Sequence, residues 1–222
     1  MGDAVISDKN SRAVVFDLDG TLVFTDWSYR HHMISKTLKD LNVSSFNKAH
    51  VNMFWYEADR NTVIKECLGV DPEKFWDTYQ RHEDAKVRSR HIRAYGDIEA
   101  LKALKDNGYR LGLLTAARKD IMELELAAIA KAIGISSEDI FDSIIIQRSD
   151  YGYRIKPDPT GLLHCLEEME VSKYHADFVG NGMEDVLAAK NADVKNTLIM
   201  RGEYALDGSR ADRTIKSLNE LL

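Results

Sequence analysis

The stretch Ala13-Val-Val-Phe-Asp-Leu-Asp-Gly-Thr21 decides the reading of this chain. Its apolar residues end at Asp17, and Gly20 marks a break. The β-branched Val14 and Val15 favour a strand, and a short continuously apolar run suits one buried on both faces of a parallel sheet. Side chains alternate along a strand, so Asp17 and Asp19 point one way and Leu18 the other. Two carboxylates at the carboxyl end of a strand stand where open α/β sheets hold ligands. A pair of turn-forming aspartates beside a glycine would look the same, so the rest of the chain must decide.

Working outward, residues 110–114, 143–146, 177–179 and 197–200 are further short apolar runs, each read as a core strand. Helical spacing fills the intervals: 97–107 ending at Gly108, 119–133 ending at Gly134, 160–170 and 184–191. Strands alternating with helices predict an α/β fold, a doubly wound parallel sheet of Rossmann-like form. Residues 147–155 read as a small projecting hairpin. Residues 24–92 show helical spacing and no strand-like run, too long a stretch for one crossover. They are read as an inserted all-helical cap domain, with residues 1–23 and 93–222 forming the catalytic core.

Composition sets the outer bounds. A chain of 222 residues with 44% hydrophobic and 30% charged residues has the make-up of a soluble globular protein. A net charge of −6 argues against nucleic-acid and anionic-membrane partners. Cys67 and Cys165 lack metal-ligand spacing and are expected to be reduced, buried thiols. Residues 1–10 carry charges and no apolar core, so no signal peptide is read there, and a cytoplasmic location is expected. Oligomeric state is open.

Three more polar signals follow core strands. Leu111-Gly-Leu-Leu-Thr115 ends in a hydroxyl, and Lys156-Pro-Asp-Pro159 puts a lysine before a helix start. Phe178-Val-Gly-Asn-Gly-Met-Glu-Asp185 ends in Gly180-Asn181, with Asp185 shortly after. Each alone would pass for a surface lysine, a strand-end hydroxyl or a turn. In this order, with Asp17-Leu-Asp-Gly-Thr21, they resemble the haloacid dehalogenase superfamily, from Val14 to about Met200. The helical insert is similar to the type-one cap of phosphoglycolate phosphatase and related small-molecule phosphatases.

The resemblance implies roles. Asp17 would attack phosphorus to give an aspartyl-phosphate, and Asp19 would protonate the leaving alcohol and later take a proton from water. A carboxylate approaching a phosphate about 4 Å away meets roughly 4 kcal/mol of repulsion per charge pair at an effective dielectric of about 20. Lys156 and Mg²⁺ would offset it, with Thr115 donating a hydrogen bond to the phosphoryl group. Asp17, the Asp19 carbonyl, Asn181 and Asp185 would hold the metal. Gly20, Thr21, Ala116, Asp26 and Trp27 are the expected substrate contacts. The resulting expectation is a Mg²⁺-dependent phosphatase acting on a small phosphorylated metabolite. The alternatives are a sugar phosphomutase of the same fold and a non-catalytic phosphate-binding regulatory protein.

Two positions depart from the family pattern. Asn181 stands where an aspartate is usual, which removes a negative charge from the metal site and predicts weaker Mg²⁺ binding. Thr115-Ala-Ala replaces the usual Asn or Gly after the hydroxyl residue. Asp19 itself separates the branches, since a departing halide needs no proton. In the insert, Phe46, Phe54, Trp55 and Tyr56 are expected to pack among the helices. Lys86, Arg88, Arg90, His91 and Arg93 are expected on a solvated face or paired with Glu83 and Asp84, with attraction of a second anionic substrate group as the alternative. Arg118 is read as a solvated helix-start residue.

Overall fold

Residues 11–57 and 59–222 are described by a computed structural model of the chain. The reading of residues 1–10 lies outside them. In chain order the elements are β1 (Ala13–Phe16), β2 (Val23–Thr25), α1 (Trp27–Asp40), α2 (Ala49–Tyr56), α3 (Arg60–Thr62), a π-helical turn (Val63–Cys67), α4 (Pro72–His82), α5 (Ala85–Arg88) and β3 (Ile92–Ala94). Then follow α6 (Ala100–Asp106), β4 (Arg110–Thr115), α7 (Lys119–Ile133), α8 (Ser137–Ile140), β5 (Ser143–Ile146) and α9 (Thr160–Glu168). The chain closes with β6 (Ala176–Gly180), α10 (Met183–Ala192), β7 (Lys195–Ile199) and β8 (Arg213–Ile215).

Six of the strands form one parallel sheet in the order β5-β4-β1-β6-β7-β8. β1 lies inside it, pairing Val14 with Leu111 on one side and Asp177 on the other. Its alternate residues feed two different clusters. Val14 and Phe16 pack with Leu104 of α6 and Met122, Leu126 and Ile129 of α7. Ala13 and Val15 pack with Leu162 and Leu166 of α9 and Ala188 and Ala189 of α10. Both faces are therefore buried, which is why the run reads as continuously apolar. The doubly wound α/β reading holds.

A third cluster joins Met33, Ile34 and Leu38 of α1 to Phe54 of α2 and Phe75 and Tyr79 of α4. Phe54 lies 5.3 Å from Phe75 and 5.4 Å from Trp76, centroid to centroid, so the aromatic run does pack among helices. Tyr56 departs from that reading: its hydroxyl leaves the cluster to donate to Glu203, at 2.6 Å, in the loop after β7.

Two local expectations are corrected, and one strand goes beyond the sequence reading. The stretch from 24 to 92 is not free of strand: β2 and β3 pair antiparallel at its two ends, Phe24 opposite Arg93. Each is only three residues long, too short to show a period. Residues 147–155 form a 3₁₀ turn over Ser149–Tyr151 instead of a hairpin, because the Gln147 amide donates to the carbonyls of Arg154 (2.8 Å) and Asp158 (2.6 Å). Those bonds satisfy acceptors that a ladder would otherwise need. β8, with only Ile215 buried, was not read as a strand because an edge strand can carry polar residues such as Arg213 and Thr214.

Of the two thiols, Cys165 is buried and Cys67 half-buried, and both are unpaired, so only Cys165 meets the expectation of burial. No helix among the described residues is long and apolar enough to cross a membrane.

Candidate active site

The polar signals meet at the carboxyl ends of β1, β4 and β6. Asp17 follows β1 directly, and its N–H donates to Val179 O of β6 at 2.9 Å, so the sheet fixes its backbone. Leu18 is fully buried, while the half-buried Asp19 faces the other way. At Gly20 the chain turns with φ +85°, a conformation side chains disfavour, and the Gly20 N–H donates to Val23 O at 2.6 Å. A Cβ here would stand 2.1 Å from the Asn181 amide nitrogen. Gly20 therefore both makes the turn and admits Asn181 against it.

Lys156 joins two of the strand ends. Its ammonium donates to Asp17 Oδ1 at 2.5 Å and to Asp185 Oδ1 at 2.6 Å, and all three side chains are buried. Burial works against the lysine's charge, but Asp17 and Asp185 more than offset it and raise its pKa above the ordinary range. Asp17 responds oppositely. Burial pushes it up to about 7, with Lys156 pulling down and Asp185 pushing up. Asp185 Oδ2 also accepts from the Gly182 N–H at 3.0 Å, which ties it to the first turn of α10.

Thr115 ends β4 buried, its hydroxyl oxygen accepting from the Ala117 N–H at 3.1 Å. The hydroxyl hydrogen is thereby left to donate elsewhere. Thr21 donates to Asp17 Oδ2 at 3.1 Å. With its amide turned to donate, Asn181 lies 3.2 Å from each of Thr21 Oγ1, Asp17 Oδ2 and the Asp19 carbonyl. Asp17 Oδ2 and the Asp19 carbonyl are thus gathered around the Asn181 carboxamide. Such hard oxygen donors suit Mg²⁺, and Asn181 would present its amide oxygen to a cation instead. Among the described residues no three His, Cys, Asp or Glu side chains form a metal cluster. The gathered donors are instead the Asp17 carboxylate, the Asp19 carbonyl and the Asn181 amide, whose chemistry suits the ion, while both Asp185 oxygens are engaged by Lys156 and the Gly182 N–H.

The remaining expected contacts stand further out. Ala116 follows Thr115 and its carbonyl accepts from Arg148 at 3.4 Å. Asp26 precedes α1 and faces His91 Nδ1 at 3.3 Å. Trp27 is 49% exposed and stacks on His31 at 4.9 Å. Neither Asp26 nor Trp27 shares a hydrogen bond with the Asp17 group. Arg118 is not simply solvated, since it pairs with Glu83 at 3.1 Å and Asp120 at 2.7 Å.

Two features here go beyond the sequence reading. Arg88, one of the basic run, pairs with Glu83 at 2.6 Å as one expectation had it, but it is buried and also contacts Asp19. Glu125 is fully buried beneath it. Its signal was present: on α7 it shares a face with Ile121 and Ile129, where a helix has no reason to place a carboxylate unless it is paired.

The site and sheet have clear relatives. The pyrophosphatase PpaX of Halalkalibacterium halodurans is 26% identical over 225 residues, covering 94% of this chain and 94% of its own. A HAD phosphatase from Thermococcus onnurineus superposes with a TM-score of 0.67 at 25% identity, covering 95% of both chains. A HAD family hydrolase from Deinococcus radiodurans, crystallised with phosphate and sodium, shares the fold with a TM-score of 0.69 at 18% identity, covering 96% of this chain and 94% of its own. With residues 14–199 also matching the family model for haloacid dehalogenase-like hydrolases, this chain belongs to that family, as an enzyme of its phosphatases.

Proposed function

We propose that the protein is a Mg²⁺-dependent phosphatase that hydrolyses a small soluble phosphomonoester through an aspartyl-phosphate. The observation that carries this reading is the Lys156 ammonium placed between Asp17 and Asp185, with Thr115 at the neighbouring strand end. A buried cation beside a buried carboxylate works against burial to favour the ionised form, which is the form that attacks. Lys156 also supplies positive charge where the phosphoryl group brings negative charge, in a dry site where each such contact is strengthened. Thr115 donates its free hydroxyl hydrogen to a phosphoryl oxygen.

Asp17 is the nucleophile in this reading. Asp19, on a separate charge partner, gives a proton to the departing oxygen and takes one from the hydrolytic water. Asp17, the Asp19 carbonyl, Asn181 and Asp185 would hold Mg²⁺, which would neutralise charge on the phosphoryl oxygens. The helical stretch 24–92 serves as a cap that excludes water and selects substrate. Gly20, Thr21 and Ala116 lie on the loops, and Asp26 and Trp27 at the start of α1, that a bound phosphomonoester would meet.

The relatives named as pyrophosphatases add pyrophosphate to the substrates worth assaying. The test is release of inorganic phosphate from p-nitrophenyl phosphate, pyrophosphate and a panel of phosphorylated metabolites, with and without Mg²⁺. Metal-dependent release abolished by Asp17→Asn is expected. Metal-independent turnover, or full activity in Asp17→Asn, overturns the mechanism. Isomerisation of a sugar phosphate without phosphate release would instead identify a phosphomutase.

A further inference from the structure

Arg88 closes α5, the last helix before β3, and its side chain runs inward to the catalytic loop. One guanidinium nitrogen, Nη2, donates to Asp19 Oδ2 at 3.2 Å and to Glu125 Oε1 at 3.0 Å. The other, Nη1, donates to Glu83 Oε1 at 2.6 Å. Three acidic residues from three segments of the chain therefore converge on one arginine.

The pairing geometry is informative. A buried Arg–Glu pair is strongest as a two-pronged fork, both carboxylate oxygens taking parallel N–H bonds. Arg88 and Glu125 do not form it. Arg88 Nε and Glu125 Oε2 are both buried and without partners among the described residues. Leaving a buried polar group unsatisfied is costly, so a pair serving stability alone would rotate into the fork. The guanidinium is instead turned so that Nη2 spans Glu125 and Asp19. Among the described residues none donates a hydrogen bond to Asp19 Oδ1, while Oδ2 is held.

We infer that Arg88, braced by Glu125, is a positioning residue that orients the Asp19 carboxyl group toward the oxygen of the leaving alcohol. The inference rests on the proposed role of Asp19. In the step concerned, an Asp17 oxygen forms a bond to phosphorus as the bond from phosphorus to the leaving oxygen breaks. That oxygen takes the proton from Asp19, which is left as a carboxylate. Arg88 touches neither phosphorus nor the leaving group. It acts by fixing one Asp19 oxygen, so that the other presents the proton.

Proton donation matters for an alkoxide leaving group and little for p-nitrophenolate, which departs readily without a proton. The experiment compares kcat/KM for an alkyl phosphate and for p-nitrophenyl phosphate in wild type, Asp19→Asn, Arg88→Met, Arg88→Lys and Glu125→Gln, with circular dichroism on each. For Arg88→Met the loss on the alkyl phosphate should exceed that on p-nitrophenyl phosphate by about 10-fold or more, a part of the 10²- to 10⁴-fold worth of a general acid. Arg88→Lys should recover part of that difference, and Glu125→Gln should show a smaller bias of the same sign. Equal losses on both substrates in Arg88→Met, where Asp19→Asn shows the bias, overturn the inference alone. No bias in Asp19→Asn overturns the underlying reading of Asp19 instead. If Arg88→Met does not fold, Arg88→Lys and Glu125→Gln decide: bias in either supports the positioning role, and its absence in both ends it.

Discussion

Lys156 Nζ stands 2.5 Å from Asp17 Oδ1, although the two residues are 139 positions apart in the chain. The contact spans the sheet from the end of β1 to the loop before α9, and Asp185 completes it at 2.6 Å. Lys156→Met would leave two buried carboxylates without their cation. Breaking a buried pair from one side costs about 3–5 kcal/mol, because the surviving charge stays buried and unpaired. Lys156→Met should therefore lose that much stability in urea unfolding and lose phosphatase turnover as well. A variant with unchanged stability would show that the two carboxylates are solvated or neutral without the lysine.

Asn181 sits within 3.2 Å of both Asp17 Oδ2 and the Asp19 carbonyl, the oxygens assigned to the metal. Restoring a carboxylate with Asn181→Asp adds a negative charge at that point. The half-saturating Mg²⁺ concentration should fall by about 10-fold, equivalent to roughly 1.4 kcal/mol of added attraction. Mg²⁺ titration of phosphate release measures it, and isothermal titration with Mg²⁺ alone gives a readout independent of turnover. An unchanged midpoint would mean that Asn181 does not contribute to the metal site.

Gly20 combines φ +85° with the approach of Asn181. Gly20→Ala meets both problems at once, since alanine disfavours that φ and its Cβ would stand 2.1 Å from the Asn181 amide. The backbone term alone costs about 1–2 kcal/mol. Gly20→Ala should lower the melting temperature and displace Asn181, raising the Mg²⁺ requirement. Gly69, also at positive φ but with nothing within 4 Å of its added Cβ, serves as the control, and Gly69→Ala should cost only the backbone term.

The parts of the molecule that showed in the sequence are those governed by local period. β1 read correctly because its burial on both faces removes polar residues, and α7 because Gly134 ends it with φ +72°. The strand-end positions of Asp17, Thr115 and Asn181 followed from those strands. β2 and β3 were invisible because three residues carry no period and their pairing joins Val23 to Ala94 across the whole helical stretch. Arg88 escaped for a related reason. Its neighbours Lys86 and Arg90 are exposed, and nothing in a basic run tells which member turns inward. Two of the partners that draw it inward, Asp19 and Glu125, lie 69 and 37 positions away.

Asp97 links three parts of the core, accepting from Arg201 at 2.7 Å, the Leu218 N–H at 2.7 Å and Ser217 Oγ at 3.0 Å. Burial pushes its pKa up, but these donors outweigh burial and hold it below the ordinary carboxylate range. The folded state thus binds the proton more weakly than the unfolded chain. The stabilisation is fully present above the unfolded pKa, near 4, and is lost as pH falls through the lower folded value. Asp97→Asn should therefore destabilise the protein at pH 7 by about 1–3 kcal/mol, the worth of hydrogen bonds to a charged group. Below about pH 4 the gap between wild type and variant should narrow, because the unfolded wild-type chain then takes up a proton at Asp97 that the folded state still resists. Urea unfolding of both proteins at pH 7 and in a series down to pH 3 checks this, and a gap that stays constant with pH would show that the Asp97 charge contributes nothing.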